Sequence, residues 1–267
     1  METKSDKITV LLGERQVLFR EGIHFTLSSE DDMEVLGEEI DNEAALNSIE
    51  TNPPRVAILN AGRDQPSGID VVRRVKRICP SVSVILIMDG DNEELLFSAV
   101  KSGASALLTK DVDPGELVNT IREVVQGASP ISEALLKPAI ASRVLSEFEA
   151  FLSINREVNN LLTLLSARES EVLHRIADGN SSQQVSQTLG INEETIRQHL
   201  NLILTKLVTN DHSREVVEAV LNRPLSMLST TGRSAGRLGV DYVTKEEFTK
   251  FKESLKERFK SFIGEWG

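Results

Sequence analysis

Apolar and polar positions divide the first half of the chain into two alternating kinds of segment. Short apolar runs, rich in β-branched residues, occupy Ile8–Leu12, Val35–Leu36, Val56–Leu59, Val84–Met88 and Ala106–Leu108. Longer stretches with helical spacing lie between them. Asn92–Lys101 carries Leu95, Leu96, Ala99 and Val100, and Pro114–Gln126 carries Leu117, Ile121, Val124 and Val125. Val84–Met88 is apolar without alternation, as expected of a strand buried on both faces. Five strand–helix units of this kind predict an α/β doubly wound parallel five-stranded sheet over residues 6–128. In such sheets ligands and chemistry gather at the carboxyl ends of the strands.

Residues 129–163 lack a further strand pattern. After Pro130 and Pro138, the residues Val144, Phe148, Phe151, Asn155, Val158, Leu162 and Leu165 recur at alternating spacings of four and three, a heptad seam. With Phe148 at an a position, Asn155 falls at the next one, and an Asn there favours parallel two-stranded pairing. A dimerising coiled coil is one expectation. A linker helix packed on its own domains is the other. Residues 164–223 predict several short helices joined by tight turns, the last being Ser213–Leu221 with Val216 and Val220 on its apolar side. Residues 224–243, rich in Ser, Thr and Gly, predict a flexible linker. Thr244 and Glu247 fit a capping box that opens a final amphipathic helix over residues 244–264. Its stripe of Phe248, Phe251, Leu255, Phe259 and Phe262 is expected to cover the protein's own body, a second copy or a separate partner.

Charge narrows the classes. The formal net charge is -11, so contact with nucleic acid must rest on a local patch rather than on the whole molecule. Cys79, the single cysteine, leaves no internal disulfide framework. No stretch approaches the roughly 20 apolar residues that span a bilayer, and METKSDK precedes no apolar signal core. A cytoplasmic setting without membrane contact is expected. His24, His174, His199 and His212 are scattered without ligand spacing, so no metal and no cofactor are expected. The strand ends show no Gly-rich phosphate loop, nucleophile elbow or paired acids, which argues against an enzyme.

Residues 8–111 resemble the receiver domain of response regulators of the NarL/FixJ, or LuxR-type, class. The segment ITVLLGERQVLFREGI resembles that family's first strand and helix, and LLTKD at 107–111 resembles its last strand. The resemblance implies acidic residues after the first strand, a phosphate-accepting Asp after the third, a hydroxyl after the fourth, and a lysine. The acids would bind Mg²⁺ through carboxylate oxygens. Here Glu14 and Arg15 stand for the acidic pair, Asn60 for the acceptor and Met88 for the hydroxyl, while Lys110 matches the lysine. An amide cannot form an acyl phosphate, and Met88 cannot hydrogen-bond a phosphoryl oxygen. The expectation is a degenerate phosphorylation pocket without Mg²⁺, in which Glu14, Arg15 and Lys110 form a fixed charge cluster. Asp64 and Asp89 are the remaining carboxylates that could substitute.

Residues 164–222 resemble the LuxR-type helix-turn-helix domain, on the run LSARESEVLHRIADGNSSQQVSQTLGINEETIRQHLNLILTKL. Ser166 and Glu169 fit a capping box, Gly179 and Gly190 fit left-handed helix stops, and Asn192 fits a cap on the third helix. That helix is expected to bury Ile196, Leu200, Ile203, Leu204 and Leu207 and to turn Arg197, Gln198 and Asn201 outward. The resemblance implies that these three enter a major groove, where Arg pairs with guanine and Gln or Asn with adenine. Thr195, Ser181, Ser182, Gln183 and Lys206 are candidate phosphate contacts. The bland alternative is a solvated polar face. Acidic residues slightly outnumber basic ones across 164–223, which predicts weak non-specific affinity and a shallow salt dependence. Pairing of two chains would offset this, through Val144, Phe148, Phe151, Asn155, Val158 and Leu162 or through Val216 and Val220.

The sequence thus points to a regulator of transcription that binds double-stranded DNA as a homodimer and works without aspartyl phosphorylation, with a regulatory protein partner as one input. A protein-interaction adaptor that has lost useful DNA affinity is the alternative.

Overall fold

The computed structural model describes residues 7–62, 66–153 and 163–221, with side chains described through residue 150 and again from 163 to 213. By contact the chain divides into two units. One joins residues 1–149 with 164–208, and the other joins 150–163 with 209–267.

The first unit opens with five strands and five helices in strict alternation. β1 (Ile8–Gly13), β2 (Met33–Glu39), β3 (Val56–Asn60), β4 (Ser83–Met88) and β5 (Ala106–Thr109) form one parallel sheet in the order β2-β1-β3-β4-β5. The intervening helices are α1 (Val17–Ser28), α2 (Asn42–Thr51), α3 (Gly68–Ile78), α4 (Glu93–Ser102) and α5 (Pro114–Val125). Side chains alternate across each strand. Val10, Leu12, Ile58, Ile85 and Ile87 pack with Ile23, Leu27, Leu117 and Ile121 of α1 and α5 in one core. Every residue of β4 after Ser83 is buried, which explains its unbroken apolar run. β2 is an edge strand with partly exposed Glu38 and Glu39, so its sequence shows only Val35–Leu36 as an apolar core.

Local capping marks the helix starts. Asp41, Ser67, Asn92 and Asp113 each accept a hydrogen bond from a backbone N–H in the first turn of the helix that follows. Gly68 opens α3 where a side chain could not fit, because a Cβ there would lie 2.3 Å from the Asn60 carbonyl oxygen. That close approach holds the carboxyl end of β3 against α3.

A 3-10 segment (Pro130–Leu136) and α6 (Pro138–Ser153) follow. Ile131, Leu135, Ile140, Ala141, Val144 and Phe148 are buried. Two ion pairs and a stacked guanidinium tie α6 to α4. Arg143 donates to both carboxylate oxygens of Glu94 at 2.8 and 2.9 Å and lies 4.0 Å over the Phe97 ring, while Lys101 lies 3.0 Å from Glu147. The seam expected to pair two chains is therefore used differently at its start. Val144 (0% exposed) and Phe148 (5% exposed) are consumed within their own chain, because α6 lies on α4 and buries the same apolar side. The side chains of Phe151, Asn155, Val158 and Leu162 lie outside the described residues, as do Asp64, the linker 224–243 and the stripe Phe248 to Phe262.

The remaining helices are α7 (Ala167–Ala177), α8 (Ser182–Leu189) and α9 (Glu193–Leu221). α9 replaces the two helices expected there. Nothing between Val208 and Ser213 breaks helical geometry, since neither Gly nor Pro occurs and the Ser213 hydroxyl donates back to the Thr209 carbonyl at 2.9 Å. The side chains of Val216 and Val220 are outside the described set. Among the described residues no helix is long and apolar enough to cross a membrane.

Candidate functional site

Two places in the fold gather polar side chains on structural grounds. The first is the carboxyl edge of the sheet. Glu14 directly follows β1 and is buried, with 3% of its surface exposed. Its carboxylate accepts from the Gln16 backbone N–H at 2.7 Å and from the Asn60 side-chain amide at 2.8 Å. Asn60 ends β3, and its side-chain oxygen accepts from the Gly62 N–H at 2.7 Å. The orientation of Asn60 is thereby fixed at both ends of its amide. Lys110 follows β5. Its ammonium lies 3.0 Å from Asp89 and 3.6 Å from Glu14, and 5.5 Å from the Phe19 ring centre.

A buried carboxylate needs compensation. Here an amide, a backbone N–H and an ammonium supply it. Met88 is buried at the end of β4 with a thioether in place of any hydroxyl. Glu14, Lys110 and Asp89 stand together in a charge cluster, and Arg15 beside Glu14 is exposed. Asp89, whose side chain is 70% exposed, serves as a partner for Lys110. Sequence reasoning missed Arg20, which donates to the Glu14 carbonyl oxygen at 2.9 Å and to the Glu38 carboxylate at 3.1 Å. A basic residue one helical turn into α1 was a weak signal for it.

The second place is the surface of α8 and the start of α9. Ser166 and Glu169 form the expected capping box on α7, and Ser181 forms another with Gln184 on α8. Gly179 and Gly190 take positive φ values of 89° and 63° at the ends of α7 and α8. Asn192 accepts from both the backbone N–H and the hydroxyl of Thr195, each at 2.7 Å. Ile196, Leu200, Ile203, Leu204 and Leu207 are buried, as the spacing predicts. That burial turns Arg197 and Gln198 outward, with Asn201 half-buried on the same side. Arg197 lies 3.7 Å from Glu194 and 3.8 Å from Glu133, with more than half of its side chain exposed. Gln183 is exposed and Ser182 half-buried.

Lys206 departs from its expected place at a phosphate. Its ammonium donates to Glu169 at 2.7 Å and to the Leu164 carbonyl at 3.1 Å, and only 22% of its side chain is exposed. Glu169 is buried, and burial alone would raise its pKa. The Lys206 ammonium and the Ser166 N–H outweigh that and hold the carboxyl below the usual range. Lys206 thus locks α9 to the start of α7. Asn210, fully buried, exchanges two hydrogen bonds with the Thr163 backbone at 2.8 and 2.9 Å. No local pattern in the sequence foretold this clamp.

Comparison with known proteins adds two matches. Residues 10–122 match the response regulator receiver domain, and residues 163–219 match the bacterial regulatory proteins of the luxR family. The chain is 30% identical to the uncharacterized transcriptional regulatory protein YxjL of Bacillus subtilis, over 81% of this chain and 97% of that protein. It is 27% identical to the transcriptional regulatory protein DegU of Brevibacillus brevis, over 83% of this chain and 96% of that one. Among solved structures, the RcsB response regulator of Salmonella typhimurium is similar over 76% of this chain and 92% of its own length, at 22% identity and a TM-score of 0.43.

Proposed function

The chain belongs to the LuxR-family response regulators, transcription factors in which a receiver domain is joined to a DNA-binding domain, and from that premise we propose that it binds specific DNA without ever carrying an aspartyl phosphate. The observation that carries this reading is the hydrogen bond from the Asn60 amide to the Glu14 carboxylate, 2.8 Å long. A phosphoacceptor must present a carboxylate oxygen as nucleophile, beside acids that share Mg²⁺ with it. The Asn60 side chain has no carboxylate to offer, and its amide occupies the Glu14 oxygen that would face the metal. Lys110 is held by Asp89 and Glu14. Glu14 and Lys110 thus each have charged or polar partners within the pocket itself.

Arg197, Gln198 and Asn201 read bases, and Thr195, Ser181, Ser182 and Gln183 hold the DNA backbone. The outward placement of Arg197 and Gln198 supports this assignment, because the apolar side of α9 is spent in the core. A homodimer supplies the affinity that the sparse basic charge does not. Input arrives by means other than phosphorylation, such as a protein partner at the receiver surface.

Binding of genomic DNA fragments at moderate salt tests the assignment. The wild type selects a subset of fragments, and Arg197→Ala loses about 1–3 kcal/mol on those fragments, a deficit confined to one base position. Equal, unselective binding by both proteins would leave the adaptor reading in its place.

A further inference from the structure

Among its described residues, α9 leaves one large apolar side chain exposed to solvent. Leu202 is 51% exposed, whereas Ile196, Leu200, Ile203, Leu204 and Leu207 are buried. The spacings of three and four in the buried set define the core side of the helix. Thr195, Gln198, Leu202 and Thr205 follow the same alternation on the opposite side and form one row along it. Leu202 thus stands one turn beyond Gln198, which is exposed as well. Local structure does not call for a leucine there. A polar residue would serve a solvated surface, and helix propensity gives leucine no advantage over lysine, arginine or glutamine.

Taking α9 as the recognition helix, as proposed above, we infer that Leu202 reads the C5-methyl group of a thymine in the major groove. That thymine lies one or two base pairs from the base that Gln198 contacts. The thymine methyl is the distinctive apolar group that the base pairs present in that groove, where the other recognition groups are hydrogen-bond donors and acceptors. A leucine pressed on a donor or acceptor would strip water from it and offer no bond in return. Leucine therefore favours thymine by apolar contact and disfavours the other bases by desolvation. Gln198 complements it, since glutamine pairs with adenine through N6 and N7. From Gln198 to Leu202 the helix advances about 6 Å, against about 3.4 Å for each base-pair step. An apolar contact also suits a domain in which acidic residues outnumber basic ones, because it adds discrimination without neutralising a phosphate.

Uracil pairs as thymine does and lacks only the methyl group, so it isolates the contact. The test takes one selected DNA fragment, replaces each thymine in turn by deoxyuridine, and titrates the full chain and Leu202→Ala against every version. The wild type is expected to lose about fourfold in affinity at one thymine, the worth of one buried methyl group. Leu202→Ala binds the unmodified fragment more weakly and is indifferent to that replacement, whereas Gln198→Ala keeps the sensitivity. Leu202→Ala holds its melting temperature, because the side chain it shortens lies outside the core and alanine is the better helix former. Selective binding in which no thymine distinguishes the wild type from Leu202→Ala overturns the inference and leaves the DNA-binding reading standing. A wild type that selects no fragment removes that reading, and the inference with it.

Discussion

Asn60 and an aspartate at the same position would have nearly the same shape, yet they make opposite demands on Glu14. The amide donates to the carboxylate at 2.8 Å. An aspartate would set two carboxylates at that separation, which requires a shared proton or a cation between them. Asn60→Asp is therefore expected to cost about 1–3 kcal/mol in thermal or urea unfolding at neutral pH with chelator present, and to regain stability when Mg²⁺ is added. An unchanged protein in both conditions would contradict the account of Glu14. The wild type, incubated with a small phosphodonor and Mg²⁺, is expected to show no mass increase of about 80 Da. Lys206 gives a second contrast. Lys206→Met should lower stability by about 2–3 kcal/mol, because Glu169 loses its charged partner, while the salt dependence of DNA binding stays the same. A fall of about one in that slope would restore Lys206 to the phosphate backbone. The resemblance assigned Glu14, Arg15, Asn60, Met88 and Lys110 to one pocket from sequence. Asp89 was read there only as a substitute acid, and the partners Arg20 and Asn210 were illegible, because each is chosen by tertiary approach.

Elements follow the sequence most closely where burial is two-sided or periodic. β4 and the core side of α9 were legible because apolar spacing alone defines them. β2 was legible only in part, since an edge strand carries partly exposed polar residues. The heptad spacing of α6 was real, but spacing cannot say whose surface a helix covers. Val144 and Phe148 meet their own chain. Phe148→Ala should accordingly cost about 3–5 kcal/mol of stability, read by urea unfolding, with no change in sedimentation. A dissociated dimer of undiminished stability would return Phe148 to an interface between chains. The α1–β2 turn is fastened to α5 by Arg122, which donates to Asp32 at 2.9 and 2.8 Å and to Glu30 at 2.7 Å. The Arg122 hydrogen bonds hold the Asp32 carboxyl below its ordinary 3.8. A lowered folded-state pKa means that this contribution is complete above the unfolded value and is lost as pH falls through the folded one. Stability should therefore decline more steeply with acid below pH 3.8 in the wild type than in Arg122→Ala, measured by unfolding across that range.

At the scale of the whole molecule, charge sets the terms of function. A chain of net charge -11 is not drawn to DNA by its overall field. On the proposed reading, binding depends on a small outward set on α9 and on two chains acting together, so selectivity is expected to exceed raw affinity. The receiver fold persists with its pocket closed by an amide, a lysine and two acids. On the proposed reading it contributes a packed surface rather than a switchable carboxylate. The sequence alone revealed the two-part organisation because both parts carry dense local patterns. It could not reveal whose surface an apolar helix side covers, because composition is the same whether that side meets its own chain or another.

The measurement that bears most directly on this account is a titration of the chain against one of its selected DNA fragments, with and without phosphodonor and Mg²⁺. The account predicts selective binding with the same midpoint in both conditions. Selective binding that appears only after phosphodonor treatment would contradict it.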